Sequence, residues 1–199
     1  MPQTLKQEIK DKILRSALDG FLENGFRSTS MQEIAERAGI AAGNIYNYFR
    51  NKEEVFSTLI APVLAEVKAI FGGDLADIAS MSLMERLHIA QRKMDTFIRI
   101  YQTNRRVFVL LFEKSDSTKF ETTKAEVIES LASGVVQAKN RLTQQPATPE
   151  QIILVHAFAT AYINGVISIL LSKGDEETKL KALHQFLPFM RNRLIHNLR

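Results

Sequence analysis

Between Ser30 and Lys52, two short apolar-periodic segments meet at the turn Ala38-Gly39-Ile40, and this limits the possible fold more than any other feature of the chain. Ser30 and Glu33 have the spacing of a capping box, so a short helix is expected there with Met31, Ile34, Ala35 and Ala38 facing inward. Gly39 can take the positive φ that a tight turn requires. A second short helix is expected from about Ala42 to Phe49, anchored by Ile45 and Phe49 at four-residue spacing. Helices this short are marginal by themselves and must pack on a longer one.

The preceding segment supplies that support. From about Thr4 to Asn24, Ile9, Ile13, Leu14, Ala17, Leu18 and Phe21 share one helical face. Gly25 stands where a left-handed cap is wanted, and Phe26 can fold back onto the last turn. Two short helices joined by a glycine turn on a longer helix make a helix-turn-helix.

The second short helix has the composition to approach DNA. Ala42 and Gly43 let the backbone come close to a major groove; Asn44 can pair with adenine and Ala42 can touch a thymine methyl. Tyr46, Asn47 and Tyr48 offer hydroxyl and amide groups to phosphates or base edges, with Thr29, Ser30 and Gln32 beside them. Lys52 stands just before a new helix, where a cation and free N–H groups can hold a phosphate. Charge adds little to this case. The chain carries a formal +4, and in its first 54 residues eight basic side chains face eight acidic ones.

At these residues the sequence resembles the TetR family of repressors. The resemblance runs over the first quarter of the chain: Phe21-Leu22-Glu23-Asn24-Gly25-Phe26, then Thr29 to Ile40, then Gly43 to Phe49 and Asn51-Lys52-Glu53. It implies a homodimer that binds a palindromic operator and is released by a small molecule. It also implies that the last two long helices form a four-helix contact between subunits. Where the family usually has a capping serine this chain has Ala41, and where it often has a polar or basic residue this chain has Ala42. The grip on DNA is therefore expected to lean on Lys6, Lys10 and Arg50.

The rest of the 199 residues read as helix, with no sustained period-two alternation. Breaks are expected at Gly72-Gly73, Thr103-Asn104, Ser115-Asp116-Ser117, Thr143 to Thr148 and Lys173-Gly174. Ser82 with Glu85, Thr118 with Glu121, and Thr148-Pro149-Glu150-Gln151 mark helix starts, as does Asp175. The expected fold is all-α with about nine helices. A three-helix helix-turn-helix domain (1–52) precedes a helical ligand-sensing and dimerisation bundle (53–199). Pro62 should bend the helix that leaves the reader, and that bend is a candidate pivot.

Ile152 to Leu171 contains no charged residue and is long enough to span a membrane. A polar row of His156, Thr160, Asn164 and Ser168 beside the small residues Ala157, Ala161 and Gly165 favours a buried dimer helix instead. Ala157, Ala161, Gly165, Phe186 and Met190 are the expected interface residues. For the sensor, Met94, Phe97, Tyr101, Phe108 and Phe112 are expected to line a cavity, with His88 and His156 as polar contacts. An apolar or aromatic effector would suit such a lining. With no cysteine, and with His88, His156, His184 and His196 out of metal-ligand spacing, no metal, cofactor or catalytic centre is expected. The charged N-terminus lacks a signal core, so a cytoplasmic protein is expected, with DNA, a second copy and a small molecule as partners. A DNA-bound adaptor answering to a protein instead of a small molecule fits the same residues.

Overall fold

Eight α-helices and a single 3-10 turn make up the described residues of the computed structural model, which are 3–71, 81 and 83–197. The expected break at Gly72-Gly73 and the expected cap at Ser82 lie outside them. In chain order the helices are α1 (Gln3–Ser28), α2 (Met31–Arg37), α3 (Lys52–Phe71), α4 (Leu83–Thr103), α5 (Arg105–Glu113), α6 (Thr123–Thr143), α7 (Pro149–Leu171) and α8 (Glu176–Asn197). The 3-10 turn, Asn44–Asn47, lies between α2 and α3.

The chain forms two compact units: residues 1–67 with 100–123, and residues 68–99 with 124–199. In the first unit Ile13, Ala17, Phe21, Ile34, Ile45, Phe49 and Phe56 are buried, as the apolar spacing requires. Phe21, Phe26 and Phe56 form a triangle of rings with centroids 5.3–5.7 Å apart, and Phe120 stacks on Phe56 at 6.1 Å. α5 packs on α1, and Arg106 pairs with Asp19. Arg27 donates to the Ser117 hydroxyl at 2.5 Å, and the Lys119 N–H donates to the Glu53 carboxylate at 3.4 Å.

In the second unit α7 and α8 form an antiparallel hairpin around Val155, Ala159, Ile163, Val166, Leu170 and Leu183. Its ends are set by local chemistry. Thr148 and Gln151 complete the expected capping box at α7. Gly174 takes φ 138 in the connection, and Asp175 accepts the Thr178 N–H at 2.8 Å to open α8. The two Thr178 bonds hold the Asp175 carboxyl below its ordinary value.

Gly165 allows the close approach of this hairpin. A Cβ there would lie 2.3 Å from the tip of the Phe186 ring. Gly165→Ala is therefore expected to destabilise the protein by about 1–3 kcal/mol, read as a lower denaturation midpoint.

One expected helix start differs in the structure. Thr118 does not open a helix: its hydroxyl donates to the Ser115 carbonyl, and Glu121 instead accepts the Ser117 N–H. α6 begins at Thr123, after these side-chain bonds have closed a turn. Pro62, where the bend is expected, lies exposed within α3.

Candidate nucleic-acid interface

Each part of the reading segment is fixed by a local device. α1 is broken at Gly25, where φ is 78 and ψ is 166. Ser30 caps α2 by accepting the Glu33 N–H at 3.1 Å, which leaves its own O–H to donate outward. The reciprocal half of the box is missing. The Glu33 carboxylate turns to Asn24 at 2.9 Å and Arg37 at 3.0 Å, and Arg37 also reaches Glu23 on α1. This holds α2 against α1. Gly39 takes φ 68 as the turn required.

The expected helix from Ala42 to Phe49 is instead one 3-10 turn, Asn44–Asn47. Its cap position is Gly43, which makes no side-chain hydrogen bond, and Ala41 and Ala42 have no acceptor to offer. Without a cap, the i→i+3 closure of Asn44 N–H on the Ala41 carbonyl, at 2.8 Å, fixes the entry. Ile45 is fully buried and Phe49 nearly so, which turns the other side outward. Tyr46 is 57% exposed, a large aromatic held in solvent by its buried neighbour in sequence. Ala42, Gly43, Asn47 and Gln32 are also exposed, and Asn44 and Tyr48 are half-buried. The Lys10 ammonium lies 5.6 Å from the Phe49 ring centre, which places one cation of α1 beside this turn.

Two expected contacts face inward. Thr29 is 1% exposed; its hydroxyl bonds the Gly20 and Gly25 carbonyls at 3.0 and 2.9 Å, and its methyl fills the space beside Gly20. It satisfies carbonyls at the end of α1 and does not face DNA. Lys52 is the larger correction. Its ammonium donates to the carbonyls of Phe26, Arg27 and Thr29 at 2.5, 3.1 and 2.7 Å, and lies 4.5 Å from the Phe26 ring centre. All three of its donors are engaged within the domain, so the ammonium is not a phosphate clamp. Partial burial pushes its pKa below the ordinary lysine value, and the carbonyls and ring compensate for lost water. Nothing in the spacing announced this role; the orphan carbonyls past Gly25 were the available signal.

Lys52→Met is expected to cost about 2 kcal/mol of stability, while the slope of log affinity against log salt stays unchanged. A slope shallower by about one unit with unchanged stability would restore the phosphate role.

The sensing candidates separate. Tyr101, Phe108 and Phe112 belong to the first unit, where Tyr101 meets Phe108 edge-on at 5.4 Å and Phe108 meets Phe112 at 4.5 Å. His88, Met94, Phe97 and His156 belong to the second. A groove of about 450 Å³ along α4 is lined by Met81, Glu85, His88, Ile89, Gln91 and Arg92, and His88 is the candidate it includes. His156 is half exposed, with Nε2 2.8 Å from the Glu129 carboxylate. That bond, helped by Ser133, holds the Glu129 carboxyl below its ordinary value. An exposed hydrogen bond of this kind is not the interior polar position expected of His156.

The expected interface residues also divide. Ala157 and Ala161 are exposed, whereas Gly165 and Phe186 pack on each other within the chain and Met190 is half-buried.

Residues 13–59 match the family model described as bacterial regulatory proteins, tetR family. The N-terminal quarter of the chain is a TetR-family domain. Among curated relatives, the HTH-type transcriptional regulator YhgD of Bacillus subtilis is 26% identical over 64% of the chain and 72% of YhgD. RutR of Escherichia coli, also an HTH-type transcriptional regulator, is 36% identical over 40% of the chain but spans only 39% of RutR. The crystal structure of MexZ, a repressor from Pseudomonas aeruginosa, shares the fold with a TM-score of 0.65 at 19% identity, covering 94% of this chain and 95% of MexZ. The family model and these curated relatives are those of transcriptional regulators, which gives transcription regulation as the function class of the matched domain.

Proposed function

We propose that the chain is a repressor that binds a palindromic operator as a homodimer and is released by a small apolar molecule. The observation that carries this reading is the outward side of the 3-10 turn, where Tyr46 stands exposed while Ile45 and Phe49 anchor the backbone. Its edge is polar without being charged, which suits base edges and sugar-phosphate oxygens. The functional division we propose is a reader over 1–52 and a sensing and dimerising portion over 53–199.

A second copy of the chain is the proposed cover for α7. Only 28% of the apolar window of that helix is buried. Ile153 is 70% exposed and Phe189 on α8 is 60% exposed, large apolar surfaces that a soluble chain covers with a partner. Ala157, Ala161, Asn164 and Ser168 continue the exposed stripe of α7 at helical spacing, with side chains small enough for close approach. A two-fold pair would set two reading turns in successive major grooves about one helical turn apart.

Selection of bound fragments from a random duplex pool tests the reading. The expected product is an inverted repeat with half-sites about 10 base pairs apart, and Tyr46→Ala should weaken binding to it about tenfold. Recovery of fragments with no shared sequence would remove the proposal. A thermal-shift screen separates a small-molecule sensor from a protein-directed adaptor, because stabilisation by apolar compounds requires binding to the folded state.

A further inference from the structure

The buried face of α1 runs on past the core of the first unit. Ile13, Ala17 and Phe21 are buried, and the same stripe continues to Lys10, which is half-buried, and then to Lys6, which is exposed. The Lys10 ammonium lies 5.6 Å from the centre of the Phe49 ring, at the end of the reading turn. A cation over an aromatic face keeps its charge while its stem is held. Arg50 follows Phe49 and is exposed. Glu54 accepts the Arg50 N–H at 2.7 Å, which fixes the backbone there. Among the described residues, neither the Lys10 ammonium nor the Arg50 guanidinium is paired with a carboxylate.

We propose that Lys10 and Arg50 hold two phosphates beside the reading turn, gripping the duplex backbone by charge while the neutral turn discriminates between bases. The inference rests on the DNA-reading role proposed above. Counterion release needs cations, and the outward side of the turn, with Ala42, Gly43, Asn44, Tyr46 and Asn47, has none. Other cations of the unit are engaged. Lys52 binds carbonyls, Arg37 pairs with Glu23 and Glu33, Arg27 donates to Ser117 and Arg106 pairs with Asp19. Lys12 and Arg15 are exposed on α1, but helical geometry sets them about 200° and 140° round the axis from Lys10. Lys10 and Arg50 therefore flank the turn from two different elements.

The test uses the full chain and the operator recovered by selection. Lys10→Met and Arg50→Met should each flatten the slope of log affinity against log salt by about two units, one for each copy in a bound pair. The preference between the operator and its single-base variants should stay within about twofold. Lys10→Arg keeps the charge and should keep the slope. Lys12→Met removes the same charge from the far side of α1 and should leave the slope unchanged. Methylphosphonate linkages locate the contacts, since each replaces one charged phosphate with a neutral group. One such linkage in each half-site should weaken the wild type and have no effect on Lys10→Met; a different one should have no effect on Arg50→Met. Lys10→Gln takes the place of Lys10→Met where the latter lowers the melting temperature.

Slopes unchanged in both variants, equal flattening by Lys12→Met, or linkage losses that add to those of the variants would overturn the proposal while leaving the DNA-reading role intact. A wild type that binds duplexes without any base preference would remove the reading itself.

Discussion

Ala161→Glu is expected to produce a folded monomer that binds the selected operator at least about 100-fold more weakly than the wild type. Ala161 is exposed on α7, so a glutamate there meets water in a single chain and remains a good helix former. In a symmetric pair the same position would bring charge into an apolar contact between subunits, where unpaired burial costs several kcal/mol. Two linked reading turns gain affinity from each other because the second contact becomes intramolecular. A separated chain forfeits that gain while each turn keeps its own contacts. Sedimentation should show half the wild-type mass, and circular dichroism should be unchanged. A variant that stays dimeric and binds normally would move the subunit contact to another face.

Phe56→Ala is expected to destabilise the first unit by about 3–5 kcal/mol, with the melting temperature falling roughly 10 °C. Phe56 is fully buried and is the ring shared by Phe21, Phe26 and Phe120. Its removal opens a cavity bounded by three different segments, which relaxes only in part because each segment is held elsewhere. Arg27 is tied to Ser117, and Lys52 is tied to the carbonyls past Gly25. Phe56→Leu keeps most of the volume and should lose much less. Equal losses for the two variants would mean that the site can collapse around a smaller side chain.

Much of the architecture was legible from the punctuation of the chain. Gly25, Gly39, Thr148 and Asp175 each act through backbone geometry or one short-range hydrogen bond, so four or five neighbouring residues suffice to specify them. The anchors Ile45 and Phe49 were readable for a similar reason, since burial follows periodicity. What stayed hidden depends on residues far apart in sequence. The partners of Lys52 lie 23 to 26 positions earlier, and a lysine before a helix reads equally well as a phosphate ligand or as a tie to carbonyls. Thr29 faces inward because Gly20 leaves room for its methyl, a fit that spacing does not encode. The shortening of the second helix to a 3-10 turn was within reach, because Ala41, Ala42 and Gly43 all lack a capping acceptor. The aromatic run from Tyr101 to Phe112 looked like cavity lining because core packing and ligand lining draw on the same side chains.

The participation of residues 100–123 in the first unit has a bearing on how such regulators recombine. Exchanging the operator preference of two proteins by joining one head to another body treats the head as a continuous string. Here Arg106, Ser117 and Phe120 meet Asp19, Arg27 and Phe56 from nearly the other half of the polypeptide. A crossover placed after residue 67 would part these partners and confront the transplanted head with foreign side chains. A hybrid that carries residues 1–67 and 100–123 from the same parent keeps every one of those pairs, so the viable graft is discontinuous.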